Sequence, residues 1–291
     1  MYHFHDPELM LVAFFFRMLG KRIVFDMHEN FPLQILTKTY MPVLAKKTLS
    51  TIAKKSQQLI FGFIPVIFAE NSYHRHFPKT CLHTTILNFP LLRMVDKIKG
   101  EKRDKFTLGY MGGVNIERGT IIILRAIQEL VKKGHDIEVV FIGPYNEEIT
   151  STEIYQDSIK EGWATFFGRL KPEEGWSKMA ECNAGLAVLQ NSPNYIESYP
   201  TKLFEYMLLE LPTIVSNFPL YRQIVEECNC GIAVEPSSVN EVCNAILTLY
   251  TSPKMCLEMG KRGKSKAAEK YSWESEYSKL KKFYSKVLLT S

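Results

Sequence analysis

The sequence predicts an α/β protein with two parallel β-sheets, and three observations lead to that prediction. Short apolar runs rich in β-branched and aromatic residues alternate with stretches of helical periodicity along most of the chain. These runs are typical of strands buried on both faces, as in parallel sheets covered by helices. A polar stretch at 96–105 separates two such series. We therefore expect two Rossmann-like domains.

The first half of the chain contains three predicted strands, at 22–26, 65–69 and 83–87, and a predicted helix at 42–59. Pro7 favours the start of an earlier helix, with Asp6 as a candidate cap. A parallel sheet of about three strands would expose an apolar edge. We accordingly expect a start upstream of Met1, a truncated chain, or a partner that completes the sheet.

The second half repeats the alternation more fully. Predicted strands occupy 106–111, 138–142, 164–167, 184–189, 213–215 and 231–234, and predicted helices occupy 119–133, 172–182, 201–210, 219–228 and a segment from 240 onward. Ligands of open parallel sheets bind beyond the carboxyl ends of the strands. Gly112, Gly113 and Glu197 follow predicted strands, so a ligand site is expected near them. Ser272 is a candidate cap for a final helix.

Composition indicates a folded globular protein, with 46% apolar and 23% charged residues in 291. Residues 1–104 contain 15 Lys and Arg against 8 Asp and Glu, whereas the remainder contains 21 against 23, so the basic excess lies in the first half. Lys46, Lys47, Lys54 and Lys55 in the predicted helix suit anionic lipid headgroups, although a solvated helix face is the simpler interpretation. No motif for nucleic-acid binding is found.

Cysteine spacing and hydropathy indicate a cytoplasmic protein. The six cysteines include no C-x-x-C pair and no partnered histidines, so neither a zinc site nor a disulfide framework is predicted. The longest apolar runs, 9–16 and 59–69, are shorter than the ~20 residues of a membrane-spanning helix. The first residues lack the pattern of a secretory signal. Contact with the inner face of the membrane would therefore be peripheral.

The most informative motif contains Glu197 and Glu205, eight positions apart. Pro200 fits the first turn of a helix, and apolar residues then follow at helical spacing, namely Leu203, Phe204, Met207 and Leu208. Free backbone N–H groups near Thr201, together with the Lys202 side chain, would attract an anion at this helix N-terminus. The layout suits a sugar, a diphosphate and a ribose. Two ordinary solvated carboxylates are the simpler alternative.

These residues resemble the donor-binding stretch of the retaining family 4 glycosyltransferases of GT-B fold. The resemblance is carried by Pro-Thr-Lys-Leu-Phe-Glu-Tyr-Met at 200–207, Leu-Pro-Thr-Ile-Val at 211–215 and Gly-Ile-Ala-Val-Glu-Pro at 231–236. It extends to His-Asp-Pro-Glu at 5–8, Asp-Met-His-Glu at 26–29, Tyr-Met-Gly-Gly at 110–113, Arg-Gly at 118–119 and Tyr-Ser-Trp at 271–273. The matches run in the family's order over most of the chain.

The resemblance implies a domain organisation. Residues 1–100 would form an acceptor-side Rossmann-like domain that lacks the family's opening strand, glycine-rich turn and helix. Residues 101–270 would form the domain that binds the nucleotide-sugar donor. Residues 271–291 would form a C-terminal helix that crosses back onto the first domain.

The resemblance also implies roles at the helix N-terminus. Glu197 would contact the transferred sugar and Glu205 the ribose. Lys202 and the backbone N–H groups from Pro200 to Leu203, including that of Thr201, would stabilise the leaving diphosphate.

Further donor contacts are implied elsewhere. Gly112 and Gly113 would let the backbone approach a phosphate. The family more often has an arginine where Gly113 stands and a lysine where Arg118 stands, so Arg118 would replace the lysine and Arg169 would compensate for the absent cation. His28 would contact the transferred sugar in the catalytic cleft, and His3 and His5 are weaker candidates.

The implied activity is retaining transfer of a hexosyl group from a UDP- or GDP-sugar to a hydroxyl of a glycan or lipid-linked acceptor, in cell-surface polysaccharide synthesis. Front-face displacement would need no carboxylate nucleophile. No metal and no cofactor are expected, because the family generally needs no divalent ion and no Asp-x-Asp is present. The alternatives are a non-catalytic or partner-dependent nucleotide-sugar-binding half-enzyme and a sugar-nucleotide epimerase. A hydrolase is disfavoured by the absence of a Gly-x-Ser-x-Gly elbow.

Overall fold

The computed structural model describes residues 1–38, 40–77, 79–95 and 98–289, which form two compact units. Unit 1 comprises Met1–Asn88 and Trp273–Ser291, and unit 2 comprises Phe89–Ser272. Each unit has its own parallel β-sheet. Asp96 and Lys97, which belong to the predicted linker, lie outside the described residues. A search of the described helices for a span long and apolar enough to cross a membrane finds none.

Unit 1 contains a four-stranded parallel sheet in the order β1-β2-β3-β4. The strands are β1 (Tyr2–Phe4), β2 (Ile23–Met27), β3 (Val66–Phe68) and β4 (His83–Thr85). The helices are α1 (Met10–Met18), α2 (Phe31–Thr37), α3 (Val43–Phe61), α4 (Tyr73–His76) and the C-terminal helix (Trp273–Leu289), with a 3₁₀ turn at Pro7–Leu9. The expectation of three strands was wrong, because the three-residue β1 pairs with β2. Asp6 precedes the 3₁₀ turn but makes no side-chain capping bond.

The two faces of the unit 1 sheet are covered by different helices. On one face, aromatic residues pack together, namely Phe25, Phe61, Phe68 and Phe77. On the other, Val24 and Ile67 pack against Phe283 and Val287 of the C-terminal helix. Both faces are therefore covered, as expected for a parallel sheet with apolar central strands.

Unit 2 contains a six-stranded parallel sheet in the order β10-β9-β8-β5-β6-β7. The strands are β5 (Phe106–Met111), β6 (Ile137–Ile142), β7 (Ala164–Phe166), β8 (Ala184–Ala187), β9 (Thr213–Ser216) and β10 (Gly231–Val234). This is the order of a doubly wound dinucleotide-binding sheet, and its direction of winding reverses between β5 and β8. Ligands of such sheets bind at that reversal, beyond the carboxyl ends of the strands.

Ten helices of unit 2 surround this sheet within the described residues. They are α5 (Leu92–Val95), α6 (Thr120–Lys132), α7 (Glu147–Thr150), α8 (Glu153–Lys160), α9 (Pro172–Ala180), α10 (Pro193–Ile196), α11 (Thr201–Leu208), α12 (Pro219–Cys228), α13 (Val239–Tyr250) and α14 (Pro253–Lys270). The sequence predicted α6, α9, α11, α12 and α13 but missed α8 and the 18-residue α14.

Helix α11 is fixed against the centre of the unit 2 sheet by Tyr206. Its side chain is fully buried, and its hydroxyl accepts a hydrogen bond from the Met111 N–H at 2.9 Å. Gly185 in β8 makes room for the ring, because a Cβ atom there would lie 2.4 Å from Tyr206 Cδ2. The helix is thereby held next to both β5 and β8.

Candidate functional site

A cavity of about 140 Å³ lies in unit 2, beside the carboxyl ends of β5 and β8. Its lining combines four tyrosines, two cations and the start of α11, and consists of Tyr110, Arg118, Ala187, Leu189, Tyr195, Ser198, Tyr199, Pro200, Thr201, Lys202 and Tyr221. The cavity therefore coincides with the reversal in strand order, where a ligand is expected.

The loop after β5 depends on backbone conformations that favour glycine. Gly112 has φ +151° and Gly119 has φ +79°. A Cβ atom at Gly119 would lie 2.0 Å from the Val188 carbonyl oxygen, which follows β8. Gly113 has open space where its Cβ would be. The glycine at 119 thus brings the β5 loop against the end of β8 and holds Arg118 at the cavity.

Arg118 lies beside two of the tyrosines that line the cavity. Its guanidinium carbon is 5.5 Å from the centre of the Tyr195 ring, within range of a cation–π contact. Tyr110 donates its hydroxyl hydrogen bond to the Gly113 carbonyl at 2.8 Å. Burial raises the pKa of Tyr110 to about 12, so this phenol stays neutral at physiological pH. Arg118 is therefore a half-buried cation next to two tyrosine rings.

The N-terminus of α11 also lines the cavity. Pro200 is the buried N-cap residue, and Thr201 is the first helical residue. Residues in the first turn of an α-helix have N–H groups without a partner in the helix, which favours an anion there. The Leu203 N–H donates to the Pro200 carbonyl at 2.9 Å and its side chain is buried in the core, and its assigned role at the diphosphate remains a prediction.

Glu205 is held by two side chains. Trp176 in α9 donates its indole N–H to Glu205 Oε2 at 3.2 Å, and Lys202 Nζ lies 3.1 Å from the same oxygen. Only 15% of the Glu205 side chain is exposed. Lys202 thus lies between this carboxylate and the cavity that it lines. Sequence reasoning missed Trp176 because it is 29 positions from Glu205 and belongs to no motif.

Glu197 and Arg169 are among the predicted residues that do not line the cavity. Glu197 is exposed and directly follows α10, with helical backbone angles. Arg169 is exposed and lies three residues after β7. Of the predicted residues, the structure thus brings Arg118, Pro200, Thr201 and Lys202 to one cavity, while Glu205 adjoins Lys202. The roles assigned to Glu197 and Arg169 remain predictions.

His28 lies in unit 1, directly after β2, within a group of polar residues that sequence reasoning did not assemble. Its Nε2 is 3.2 Å from Asp26 Oδ2 and 3.4 Å from His5 Nδ1. The hydrogen bond with Asp26 raises the pKa of His28 above its ordinary value, and burial opposes this. Burial alone would raise the pKa of Asp26, but the neighbouring imidazoles of His28 and His3 lower it to about 2. Asp26 is therefore ionised at physiological pH.

Comparison with known proteins gives the same fold. HepE of Anabaena, solved in complex with UDP, superposes with a TM-score of 0.75 at 14% identity, over 98% of this chain and 78% of HepE. Sucrose-phosphate synthase of Thermosynechococcus elongatus gives a TM-score of 0.73 at 14% identity, over 99% of this chain and 74% of that one. The predicted fold class, α/β with the parallel-sheet Rossmann-like domains of GT-B glycosyltransferases, is confirmed.

Sequence comparison identifies the family. The profile of the family described as glycosyl transferases group 1 matches residues 94–266, more than half of the chain. The chain therefore belongs to the group 1 glycosyl transferases. A curated relative, alpha-D-kanosaminyltransferase of Streptomyces kanamyceticus, is 22% identical over 200 residues, which are 65% of this chain and 49% of that protein. The chain thus matches about half the length of this relative.

Proposed function

We propose that this chain is a retaining family 4 glycosyltransferase that binds a nucleotide-diphosphate sugar through unit 2 and transfers its sugar to an acceptor hydroxyl. The observation that carries the proposal is the cavity at the reversal in strand order, lined by two cations and a helix N-terminus. Family membership and the solved complexes of HepE with UDP and UDP-glucose agree with it. They favour UDP over GDP as the nucleotide.

The diphosphate is the part of the donor that the cavity suits best. Arg118 offers a planar fork of N–H donors, Lys202 offers a point charge, and the first turn of α11 offers backbone N–H groups. Together they would stabilise the negative charge that develops on the leaving diphosphate. The group would thus leave without a divalent cation. We expect neither a metal nor a cofactor in this step.

The remaining contacts of the donor are assigned by resemblance. Glu205, next to Lys202, would accept hydrogen bonds from the ribose hydroxyls. Glu197 and His28 would contact the transferred sugar, and Gly112 and Gly113 would approach the phosphates through their backbone.

The proposed reaction proceeds on one face of the sugar. The bond from the anomeric carbon to the acceptor oxygen forms as the bond to the diphosphate oxygen breaks, and the acceptor proton passes to the departing phosphate. The configuration at the anomeric carbon is thereby retained. The acceptor is proposed to be a hydroxyl of a glycan or lipid-linked precursor of a cell-surface polysaccharide.

Helix α3 is proposed to contact the cytoplasmic membrane surface peripherally. Leu44, Ile52 and Leu59 recur at intervals of eight and seven residues, so they share one face of the helix. Leu44 is 78% exposed and Leu59 is 65% exposed, and exposed Lys47 and Lys55 flank them. An apolar stripe with flanking lysines suits an anionic bilayer. Sedimentation with vesicles tests this: binding should increase with the anionic lipid fraction and weaken in Lys47→Glu/Lys55→Glu.

The transfer itself is tested by incubating the full chain with labelled UDP- and GDP-sugars and lipid-linked acceptors. Release of nucleoside diphosphate and an α-linked product from an α-linked donor are expected. Glu205→Gln should reduce turnover, whereas Glu153→Gln in α8, an acidic residue outside the cavity lining, should not. An inverted product would contradict retention, and binding without transfer would favour the half-enzyme alternative.

A further inference from the structure

A second group of potential ligand residues, three histidines and one aspartate, lies in unit 1, where β1 and β2 end. The two strands are parallel, with His3 opposite Val24 and Phe4 opposite Phe25. Continuing that register sets His5 opposite Asp26. Because side chains alternate across a strand, His3 and His5 share one face, and Asp26 and His28 share a face as well. Three imidazoles and one carboxylate therefore converge.

Three of these residues, His3, His5 and Asp26, each offer a ligand atom, and these three atoms all lie within 4.8 Å of one another. Asp26 Oδ2 lies 3.5 Å from His3 Nε2, 3.4 Å from His5 Nδ1 and 3.2 Å from His28 Nε2, and the His5 and His28 atoms are 3.4 Å apart. Zinc bonds of about 2.0–2.1 Å at tetrahedral angles put neighbouring ligand atoms roughly 3.3–3.4 Å apart. The separations of Asp26 Oδ2 from its neighbours are therefore close to those between two ligands of one zinc ion.

His3 supplies an independent observation. Its Nε2 atom is buried and has no hydrogen-bond partner among the described residues. Its other nitrogen, Nδ1, lies 3.0 Å from the Tyr284 hydroxyl. In the tautomer that donates Nδ1–H to Tyr284, the lone pair of Nε2 faces the Asp26 Oδ2 atom at 3.5 Å. Two acceptors then face each other, an arrangement that a cation between them would stabilise.

We propose that His3 Nε2, His5 Nδ1 and Asp26 Oδ2 bind a divalent transition-metal cation, with Zn²⁺ the best match, and that His28 Nε2 supports Asp26 from 3.2 Å. Imidazole nitrogens with one carboxylate are typical zinc ligands, and hard cations such as Mg²⁺ prefer oxygen ligands. The Tyr284 hydroxyl would orient His3 from outside the coordination sphere, as partners of metal-bound histidines commonly do. The cation would join the ends of β1 and β2.

The test uses the full chain, stripped of metal with a chelator and titrated with Co²⁺ and Zn²⁺ in the absence of any sugar nucleotide, so its outcome is independent of glycosyl transfer. One Co²⁺ should bind per chain, with visible d–d absorption typical of four-coordinate cobalt, and Zn²⁺ should displace it. His5→Gln and His28→Gln should each weaken binding at least about tenfold, and Tyr284→Phe about tenfold. Both histidines are partly exposed, so these variants should fold.

Controls separate this site from the other possible ligands. His76→Gln in unit 1 and His135→Gln in unit 2 should bind Co²⁺ like the wild type. Zinc should also raise the melting temperature of the wild type, because a ligand of the folded state stabilises it, but should not do so in His5→Gln. Absence of binding, wild-type affinity in His5→Gln and His28→Gln, or near-ultraviolet thiolate–cobalt bands from one of the six free cysteines would each overturn the proposal.

Discussion

Glu205 owes its orientation to two neighbours from different parts of the chain. Lys202 is one helical turn away, so the sequence alone suggests that the two side chains meet. Trp176 comes from α9 and approaches the same carboxylate oxygen from another helix. The indole N–H occupies one hydrogen-bonding direction of the Glu205 carboxylate and thereby restricts rotation of the Glu205 side chain. The proposed ribose contact therefore depends on a tryptophan outside the nucleotide cavity.

Trp176→Phe should weaken UDP binding by about tenfold, because a hydrogen bond to a charged group contributes about 1.5–3 kcal/mol and part of that orients Glu205. Titration calorimetry with UDP measures the change. Trp163→Phe is the matched control, since Trp163 also donates its indole N–H to a glutamate, Glu161, at 2.9 Å. Equal UDP affinities of the two variants would contradict a positioning role for Trp176.

Among the secondary-structure elements, Gly119 sets how closely the β5 loop approaches the end of β8. It follows the 3₁₀ turn at Ile116–Arg118, is the N-cap residue of α6 and approaches the Val188 carbonyl. Gly134 has a similar φ of +85° but open space around its Cβ position. The two glycines thus share a backbone conformation and differ in their surroundings.

Gly134→Ala should lower the free energy of unfolding by about 1–2 kcal/mol, the cost of a left-handed backbone for an ordinary residue. Gly119→Ala should cost more, because the new methyl group would also collide with Val188. Urea unfolding of the three proteins gives both values. The same loss in both variants would show that the loop can move away from β8, and the described contact would then not hold Arg118 in place.

The sequence predicted the elements whose apolar periodicity is strong. It did not predict the elements that depend on tertiary contacts. Strands such as β5 and β6 are mostly apolar, and the prediction for them was correct to within a residue. β1 is too short to show a period and depends on pairing with β2. Helix α14 contains Gly260 and Gly263, which weaken a helical prediction. Gly260 fits closely there, because its Cβ would lie 2.0 Å from the Glu210 carbonyl oxygen.

The candidate site residues divide in the same way, into those that local sequence predicts and those that tertiary packing brings together. Arg118, Lys202 and Glu205 follow from motifs and local helix spacing, so the sequence predicted them. Trp176 and the convergence of His3, His5, Asp26 and His28 depend on the packing of separate elements. No local pattern specifies such contacts.

At the scale of the molecule, the C-terminal helix belongs to unit 1 although the whole of unit 2 separates it from β4 in the sequence. Glu276 in this helix is 1% exposed and accepts the Leu87 N–H at 3.0 Å, while Lys279 Nζ lies 2.7 Å from its other oxygen. A buried carboxylate with two such partners ties the end of the chain to the edge of the first sheet. Unit 1 is therefore complete only when both chain segments are present.

Glu276→Ala should destabilise unit 1 by about 1–3 kcal/mol, because the buried Leu87 N–H would lose its partner. Hydrogen exchange followed by mass spectrometry should show faster exchange in β2, β3 and β4 and unchanged exchange in the unit 2 sheet. Glu274→Ala changes an exposed acidic residue in the same helical turn and should leave exchange as it is. Faster exchange throughout unit 2 would contradict the prediction that the Glu276–Leu87 hydrogen bond stabilises unit 1 alone.

The proposed donor site is tested most directly by titration calorimetry of the full chain with UDP, using uridine, Arg118→Ala and Arg125→Ala as comparisons. Arg125 is an exposed arginine of α6 outside the cavity lining. We expect UDP to bind one to one and uridine to bind at least about tenfold more weakly. Arg118→Ala should lose at least about tenfold in UDP affinity, whereas Arg125→Ala should not. Equal affinities for UDP and uridine, or equal UDP affinities in the two arginine variants, would contradict a diphosphate site at this cavity.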